Sequence, residues 1–496
     1  MPLKIARHIA TVFCRIIIPM IVLCLGISHV SAQGDLPSNQ EIKSELRRAV
    51  AYFTEEVSSE GGYLWEYSAD LSRRDGENRA DENMVWIQPP GTPFIGRVLL
   101  KAWRTTGDEY YLDAAHKTGT CLVRCQLESG CWTHSAYLDA ERRTSQAYRT
   151  EEKHSSRAKN MSTFDDNSSQ CALAFLVELD RELKFSDPVI HEATIFALDS
   201  MLAAQRPNGG WPQGFDAPCK PEDWPALKAS YPPEGEDPSR IKEYWHLYTF
   251  NDNLFPDLTF TLLLAHRIYG DQRYLDAVKR SGDFILAAQM PDPQPAWAQQ
   301  YDPQMRPTWA RKFEPASITG GESQGIMKTL MSLYIETGER RYLQPIPKAI
   351  EYLRSSLLPD GRLARFYEMR TNRPLYFTKD YTLTYSDADM PTHYSFKVGS
   401  SLDSIEAQYK KTIAMTDDTV ARNRESRWAY LDITSDDLSK ASDSAKAAAA
   451  KVIAQLDDHG RWIEEDIMIG TAEPQKVVKC STFAKNIETL LKAIDE

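Results

Sequence analysis

Two short stretches hold carboxylates in a pattern that suits chemistry. Thr163-Phe164-Asp165-Asp166-Asn167 and Thr249-Phe250-Asn251-Asp252-Asn253 begin 86 residues apart, and each stands directly before an apolar run of helical spacing. Asp165 precedes Trp211 by 46 residues, and Asn251 precedes Trp297 by the same 46. Asp165, Asp166 and Asp252, with the neighbouring amides, are hard oxygen donors of the kind Ca²⁺ takes. Asp and Asn before a helix are also ordinary N-caps, so a single copy would be no argument. The matched second copy is what makes a shared site worth expecting.

A second group is basic and aromatic. It comprises Trp309-Ala310-Arg311-Lys312-Phe313-Glu314, then Ala364-Arg365-Phe366-Tyr367 and, further on, Arg373 and Lys379. From Gly361 to Asp380 there are five basic residues and two acidic ones, a local reversal in a chain of net charge −12. Arginine forks match planar carboxylates, and aromatic faces such as Trp211 and Trp309 can stack on sugar rings. Arginines snorkelling from helix ends would give the same composition.

These residues need a scaffold, and the sequence supplies a repeated one. Stretches 92–126, 171–205, 258–289 and 325–358 each contain two runs with apolar residues near i, i+3, i+4 and i+7, the mark of a helical hairpin burying one stripe. Gly107-Asp108, Gly270-Asp271 and Gly338-Glu339 supply the Gly-then-acidic chemistry of a helix end followed by a helix start. The pattern predicts a mainly α protein, an α/α toroid with irregular loops and short strands at its funnel end. Residues 40–56 read as half a hairpin, and 482–495 as the half that would close the ring. Stretches 137–159, 216–240 and 366–401 break the pattern and read as irregular. The chain divides into a signal peptide (1–32), N-terminal hairpins (33–160), a catalytic region (161–400) and C-terminal helices closing or extending the toroid (401–496).

The signal peptide is read from Lys4, Arg7 and His8 before the apolar run 9–27 and a small-residue exit at Ala32. Arg15 and Pro19 inside the run argue against a permanent membrane span. The expectation is an exported monomer with no membrane attachment after cleavage. Net charge −12 excludes nucleic acid and anionic membranes as natural partners. Six cysteines remain beyond the signal. With no CxxC or histidine cluster beside them they read as structural or free thiols.

Asn208-Gly209-Gly210-Trp211-Pro212-Gln213, Thr249-Phe250-Asn251-Asp252, Gln300-Tyr301-Asp302, Ala310-Arg311-Lys312-Phe313-Glu314 and Ala364-Arg365-Phe366-Tyr367 occur in an order that resembles family-ten pectate lyases (pectic acid lyases). The resemblance spans roughly 163–397. It implies β-elimination of polygalacturonate or a related polyuronate with Ca²⁺ and an arginine base. Carried across, it makes Arg311 and Asp165 catalytic and Asp165, Asp166 and Asp252 the metal ligands. Arg365 then binds substrate, and Lys379 stands where the family has a further arginine. The family's late Glu-Arg-Arg-x-Gly-Tyr element has no counterpart in Pro391–Phe396. Two other readings use the same residues. One is a toroid glycoside hydrolase pairing Asp165 or Asp166 with Asp252 or Glu314 as acid and base. The other is a non-catalytic polyuronate-binding protein.

Overall fold

The structure is a computed structural model describing residues 36–236, 238–437 and 440–495. The expected signal peptide, 1–32, lies outside the described residues. Helices run in the order α1 (Asn39–Tyr52), α2 (Thr92–Thr106), α3 (Glu109–Arg124), α4 (Ala140–Arg143), α5 (Ser168–Glu182), α6 (Pro188–Ala204) and α7 (Leu254–Tyr269). They continue as α8 (Gln272–Ala288), α9 (Glu322–Thr337), α10 (Ile346–Ser355), α11 (Leu402–Ile413), α12 (Asp417–Trp428), α13 (Asp443–Ile453) and α14 (Cys480–Leu491). The hairpin turns have the chemistry expected of them. Gly107 and Gly270 end α2 and α7 at φ 68° and 70°, conformations that a Cβ would strain. Asp108 and Asp271 then cap α3 and α8, accepting from the backbone N–H of Tyr110 and Arg273. Between α5 and α6 no glycine is present, and Lys184 and Phe185 take the left-handed positions instead.

Hairpin packs on hairpin to make the expected α/α toroid. α14 meets α2, α2 meets α5, α5 meets α7 and α7 meets α9, forming the inner wall, while α3, α6, α8 and α10 lie outside their partners. Inner helices touch neighbours on most faces, which is why α5 is buried continuously from Ser168 to Asp180. The chain ends meet: α14 packs on both α1 and α2, and Phe53 of the turn after α1 stacks on Phe483 with centroids 3.7 Å apart. A sheet ordered Glu464–Asp466, Gln475–Lys479, Glu66–Ser68, Arg74–Asp75, Arg79–Ala80 joins the same two ends, with Tyr67 opposite Val478.

The funnel is built by one rule applied four times among the described residues. The short strand leading into a hairpin pairs antiparallel with the strand leaving it. Met84–Trp86 pairs with Ser135–Tyr137 around α2–α3, and Ser162–Thr163 with Gly214–Phe215 around α5–α6. Tyr248–Thr249 pairs with Gln300–Tyr301 around α7–α8, and Ile318–Thr319 with Phe366–Tyr367 around α9–α10. Consecutive units are tied by a backbone bond from threonine to the preceding tryptophan: Thr163 to Trp132 (2.8 Å), Thr249 to Trp211 (3.2 Å) and Thr319 to Trp297 (2.8 Å). A small second core of Phe366, Leu375, Tyr376, Phe377 and Phe396 forms a lobe at the rim, with Trp309, Phe313 and Tyr394 against it. Cys121, Cys125, Cys131, Cys171, Cys219 and Cys480 are all free thiols. No helix among the described residues is long and apolar enough to cross a membrane.

Candidate active site

The twin turns fold alike. In each, the threonine hydroxyl accepts from the backbone N–H two residues on, Asp165 and Asn251, at 3.1 Å. In each, the phenylalanine N–H donates to a glutamine carbonyl, Gln213 or Gln299, at 2.8 Å. The next two residues then enter left-handed backbone: Asp166 and Asn167 at φ 47° and 57°, Asp252 and Asn253 at 48° and 58°. Such geometry costs roughly 1–2 kcal/mol per L-residue and is best tolerated by Asp and Asn. It is not spent on capping, because neither Asn167 nor Asn253 caps its helix through its side chain. The two turns touch one another at the starts of α5 and α7, and their carboxylates lie close enough for Asp165 and Asp166 to raise the pKa of Asp252.

Those carboxylates crowd. Asp166 accepts from Gln88 Nε2 at 2.8 Å, and loss of solvation followed by the charge of Asp165 pushes its carboxyl up to about 6. Asp252 is driven well upward by burial, then by Asp165 and Asp166, although Asn251 donates to it. One oxygen of Asp165, Oδ1, is buried with no hydrogen-bond partner. His134 completes the group, its Nε2 3.8 Å from Asp165 Oδ2. One ligand atom each from His134, Asp165 and Asp166 lie within 4.8 Å of one another. Asp166 and Asp252, which disfavour their own ionised state, beside the unpartnered buried oxygen of Asp165, fit a hard divalent cation.

Gln88 and His134 were missed in the sequence reading, since both fall in the N-terminal hairpins. Their one signal is position: His134 follows Trp132 as Gln213 follows Trp211, at the exit of a repeat.

Across the rim, Arg311 donates from Nη2 to Glu314 Oε1 at 2.5 Å, and the same oxygen accepts from Gln299 Nε2 (2.7 Å) and the Tyr394 hydroxyl (3.2 Å). Gln299 Nε2 also reaches Asn251 Oδ1 at 2.9 Å, linking the second turn to the arginine. Burial works against the Arg311 charge, but the Glu314 carboxylate outweighs it and raises the guanidinium above its ordinary value. Its Nε is buried and unpartnered. Arg365 donates to Glu322 Oε1 (2.7 Å) and to the Ser395 carbonyl (2.8 Å), with its guanidinium 4.8 Å from the Tyr394 ring. A cavity of about 370 Å³ opens between the starts of α7 and α9, lined by Asp252, Glu322, Lys328 and Arg365. Tyr394, between the two arginines, comes from the stretch that matched no family motif.

Of the four remaining sequence candidates, Trp211 needs correction, and the other three have protein partners of their own. Trp211 has no exposed surface: its indole N–H donates to Ser281 Oγ (2.8 Å) and its ring meets Phe164 edge-on, so it is a pillar under the first turn and offers no face to a sugar. Trp309 is half-buried, its indole N–H on the Arg311 carbonyl (2.9 Å) and its ring against Phe377, so it fixes the backbone at Arg311. Arg373 sits in the turn before the strand Pro374–Phe377, at the opposite end of that hairpin from Arg365, and stacks on Tyr385 at 3.3 Å. Lys379 is exposed and paired with Asp389 (3.1 Å). The basic run is thereby dispersed, with Arg362 paired to Asp360 and Arg370 bonded to the Pro232 carbonyl. Of that run, Arg365 is the residue that faces the site.

Comparison with known proteins bears on this arrangement. No curated protein matches the chain. Among solved structures it is similar to the family 10 polysaccharide lyase from Cellvibrio cellulosa, at 18% identity over 66% of this chain and 98% of that one, TM-score 0.44. A point mutant of that lyase in complex with trigalacturonic acid matches at 19% identity over 63% and 95%, TM-score 0.43. An unsaturated glucuronyl hydrolase from Streptococcus agalactiae matches at 10% identity over 96% and 98%, TM-score 0.38. Residues 133–339, which contain His134, both carboxylate turns and the Arg311–Glu314 pair, match the model of the pectic acid lyase family.

Proposed function

We propose that the protein is an exported lyase that cleaves polygalacturonate or a closely related polyuronate by calcium-dependent β-elimination. The observation that carries this reading is the convergence of Asp165, Asp166 and Asp252 from twin turns on one rim with Arg311 and Arg365. The family match over 133–339 supports the polysaccharide class, and the trigalacturonic acid held by the similar lyase supports the uronate. Asp165, Asp166 and Asp252 would hold Ca²⁺, which when bound neutralises the uronate carboxylate and so acidifies the C5 proton. Arg365 grips the substrate carboxylate through the fork edge that Glu322 leaves open. Arg311 takes the C5 proton, the C5–H electron pair becomes a C4–C5 double bond, and the C4–O bond breaks with the leaving oxygen protonated from solvent.

In the resting pair Arg311 is a guanidinium, because Glu314 holds its proton. The neutral form that acts as a base grows as pH rises, so the reading requires an alkaline rate profile. The decisive assay follows ultraviolet absorbance of the unsaturated product from polygalacturonate with Ca²⁺ and then with chelator, beside Arg311→Ala. Near-normal product from Arg311→Ala overturns the base assignment. New reducing ends without absorbance would instead favour a hydrolase, a second reading that the Asp166 carboxyl, near neutrality at about 6, makes specific. Export is tested by N-terminal sequencing of secreted protein, with cleavage expected near Ala32.

A further inference from the structure

The cation site contains a donor that a purely calcium-binding site does not need. His134 leaves the first repeat just after the buried Trp132. Its carbonyl accepts from the N–H of Ile87 (2.7 Å) and Gln88 (3.2 Å), which extends the pairing of Met84–Trp86 with Ser135–Tyr137 and fixes where the imidazole hangs. Among the described residues its ring nitrogens have no hydrogen-bond partner, and Nε2 lies 3.8 Å from Asp165 Oδ2. Ligands bound at about 2.1–2.3 Å on opposite sides of one ion stand roughly 4.2–4.6 Å apart. The His134, Asp165 and Asp166 ligand atoms, within 4.8 Å of one another, therefore close on a single ion with little adjustment. Gln88 restrains Asp166 Oδ2, and Asp165 Oδ1 is buried without a partner, so neither carboxylate is committed to a protein cation.

We infer that His134 is a direct ligand through Nε2, and that this site binds a first-row transition cation such as Mn²⁺ more tightly than Ca²⁺. Imidazole nitrogen contributes little to Ca²⁺, a large oxygen-seeking ion, and more to Mn²⁺, with the gain rising along the first row to its heavier neighbours. The inference rests on the cation part of the proposed function and adds to it the identity of the ion the chain prefers.

The test uses the full mature chain without substrate. Mn²⁺ is titrated by electron paramagnetic resonance, Ca²⁺ by competition, and both are repeated on His134→Ala. Wild type should bind Mn²⁺ at least tenfold more tightly than Ca²⁺ and show nitrogen modulation in the echo spectrum of bound Mn²⁺. His134→Ala should weaken Mn²⁺ at least tenfold, move Ca²⁺ less than about twofold and lose the nitrogen signal. An unchanged metal-free melting temperature in the variant excludes misfolding as the cause. Bound Mn²⁺ without nitrogen modulation, or equal loss of both ions in the variant, overturns His134 as a ligand while leaving the lyase reading intact. Wild type that binds neither ion overturns the inference and the cation part of that reading together.

Discussion

Glu314 determines how basic Arg311 can be, and Glu314→Gln isolates that effect. The carboxylate is 3% exposed and its Oε1 accepts from Arg311, Gln299 and Tyr394, so a glutamine carbonyl can keep all three bonds while the charge is removed. A hydrogen bond to a charged group is worth about 1.5–3 kcal/mol, and 1.36 kcal/mol is one pKa unit. Arg311 is itself 33% exposed, and solvent screening trims the effect to the lower part of that range, about one unit. If neutral Arg311 is the base, log kcat rises with slope one below its pKa. The variant's line should then run parallel to wild type and about tenfold higher at each pH. The other amide nitrogen would face the Arg311 backbone N–H, which now donates to Oε2 at 3.2 Å, so stability should fall by about 1–3 kcal/mol. The assay is ultraviolet product formation at saturating polygalacturonate from pH 7 to 10, with folded fraction checked by urea titration. A line coincident with wild type, or a loss as deep as that of Arg311→Ala, refutes the arginine-base reasoning.

Other perturbations reach other parts of the site and scaffold. Asp252→Asn removes a carboxyl held among like charges, so the metal-free protein should melt higher while Ca²⁺ no longer stabilises it; calorimetry with and without Ca²⁺ reads both. Because Asp252 and Asp166 must each lose a proton to bind a cation, near 8 and near 6, Ca²⁺ affinity should be full above about 8 and weaken as pH falls through both; titration calorimetry showing flat affinity down to pH 4 would contradict the donor set. Glu178 is buried between Arg97 and Arg104, and Glu178→Ala should cost about 3–5 kcal/mol in urea unfolding. Its carboxyl is depressed, since the arginines outweigh the burial that opposes its charge, so the wild-type contribution is present above the ordinary glutamate range and lost as pH falls through it. Trp211→Phe should lower stability by about 1 kcal/mol through the lost bond to Ser281 and leave KM unchanged; a several-fold KM rise would restore it as a sugar-stacking residue.

Local chemistry made the scaffold legible. Apolar spacing of 3 and 4 residues and Gly-acidic turns report short-range structure, and they specify the hairpins, the toroid and the twin turns. The 46-residue interval from turn to tryptophan was visible too, but the bond from Thr249 to the Trp211 carbonyl was not, because it joins different repeats. Burial was not legible: Trp211 and Trp309 look alike in sequence, and only the packing of the first against Phe164 and Ser281 removes it from solvent.

By itself the sequence determined the element types, their repetition, the carboxylates on two equivalent turns and Arg311 as a candidate, since each depends on neighbours a few residues away. The tertiary structure alone decided which charges meet. It dispersed the basic run so that Arg365 remains at the site, locked Arg311 onto Glu314, and brought Gln88 and His134 from the N-terminal hairpins to Asp166 and Asp165, 78 and 31 residues away in the chain. Electrostatic energy falls with distance through space rather than along the chain, so the site's charge state is set where the repeats close on one another.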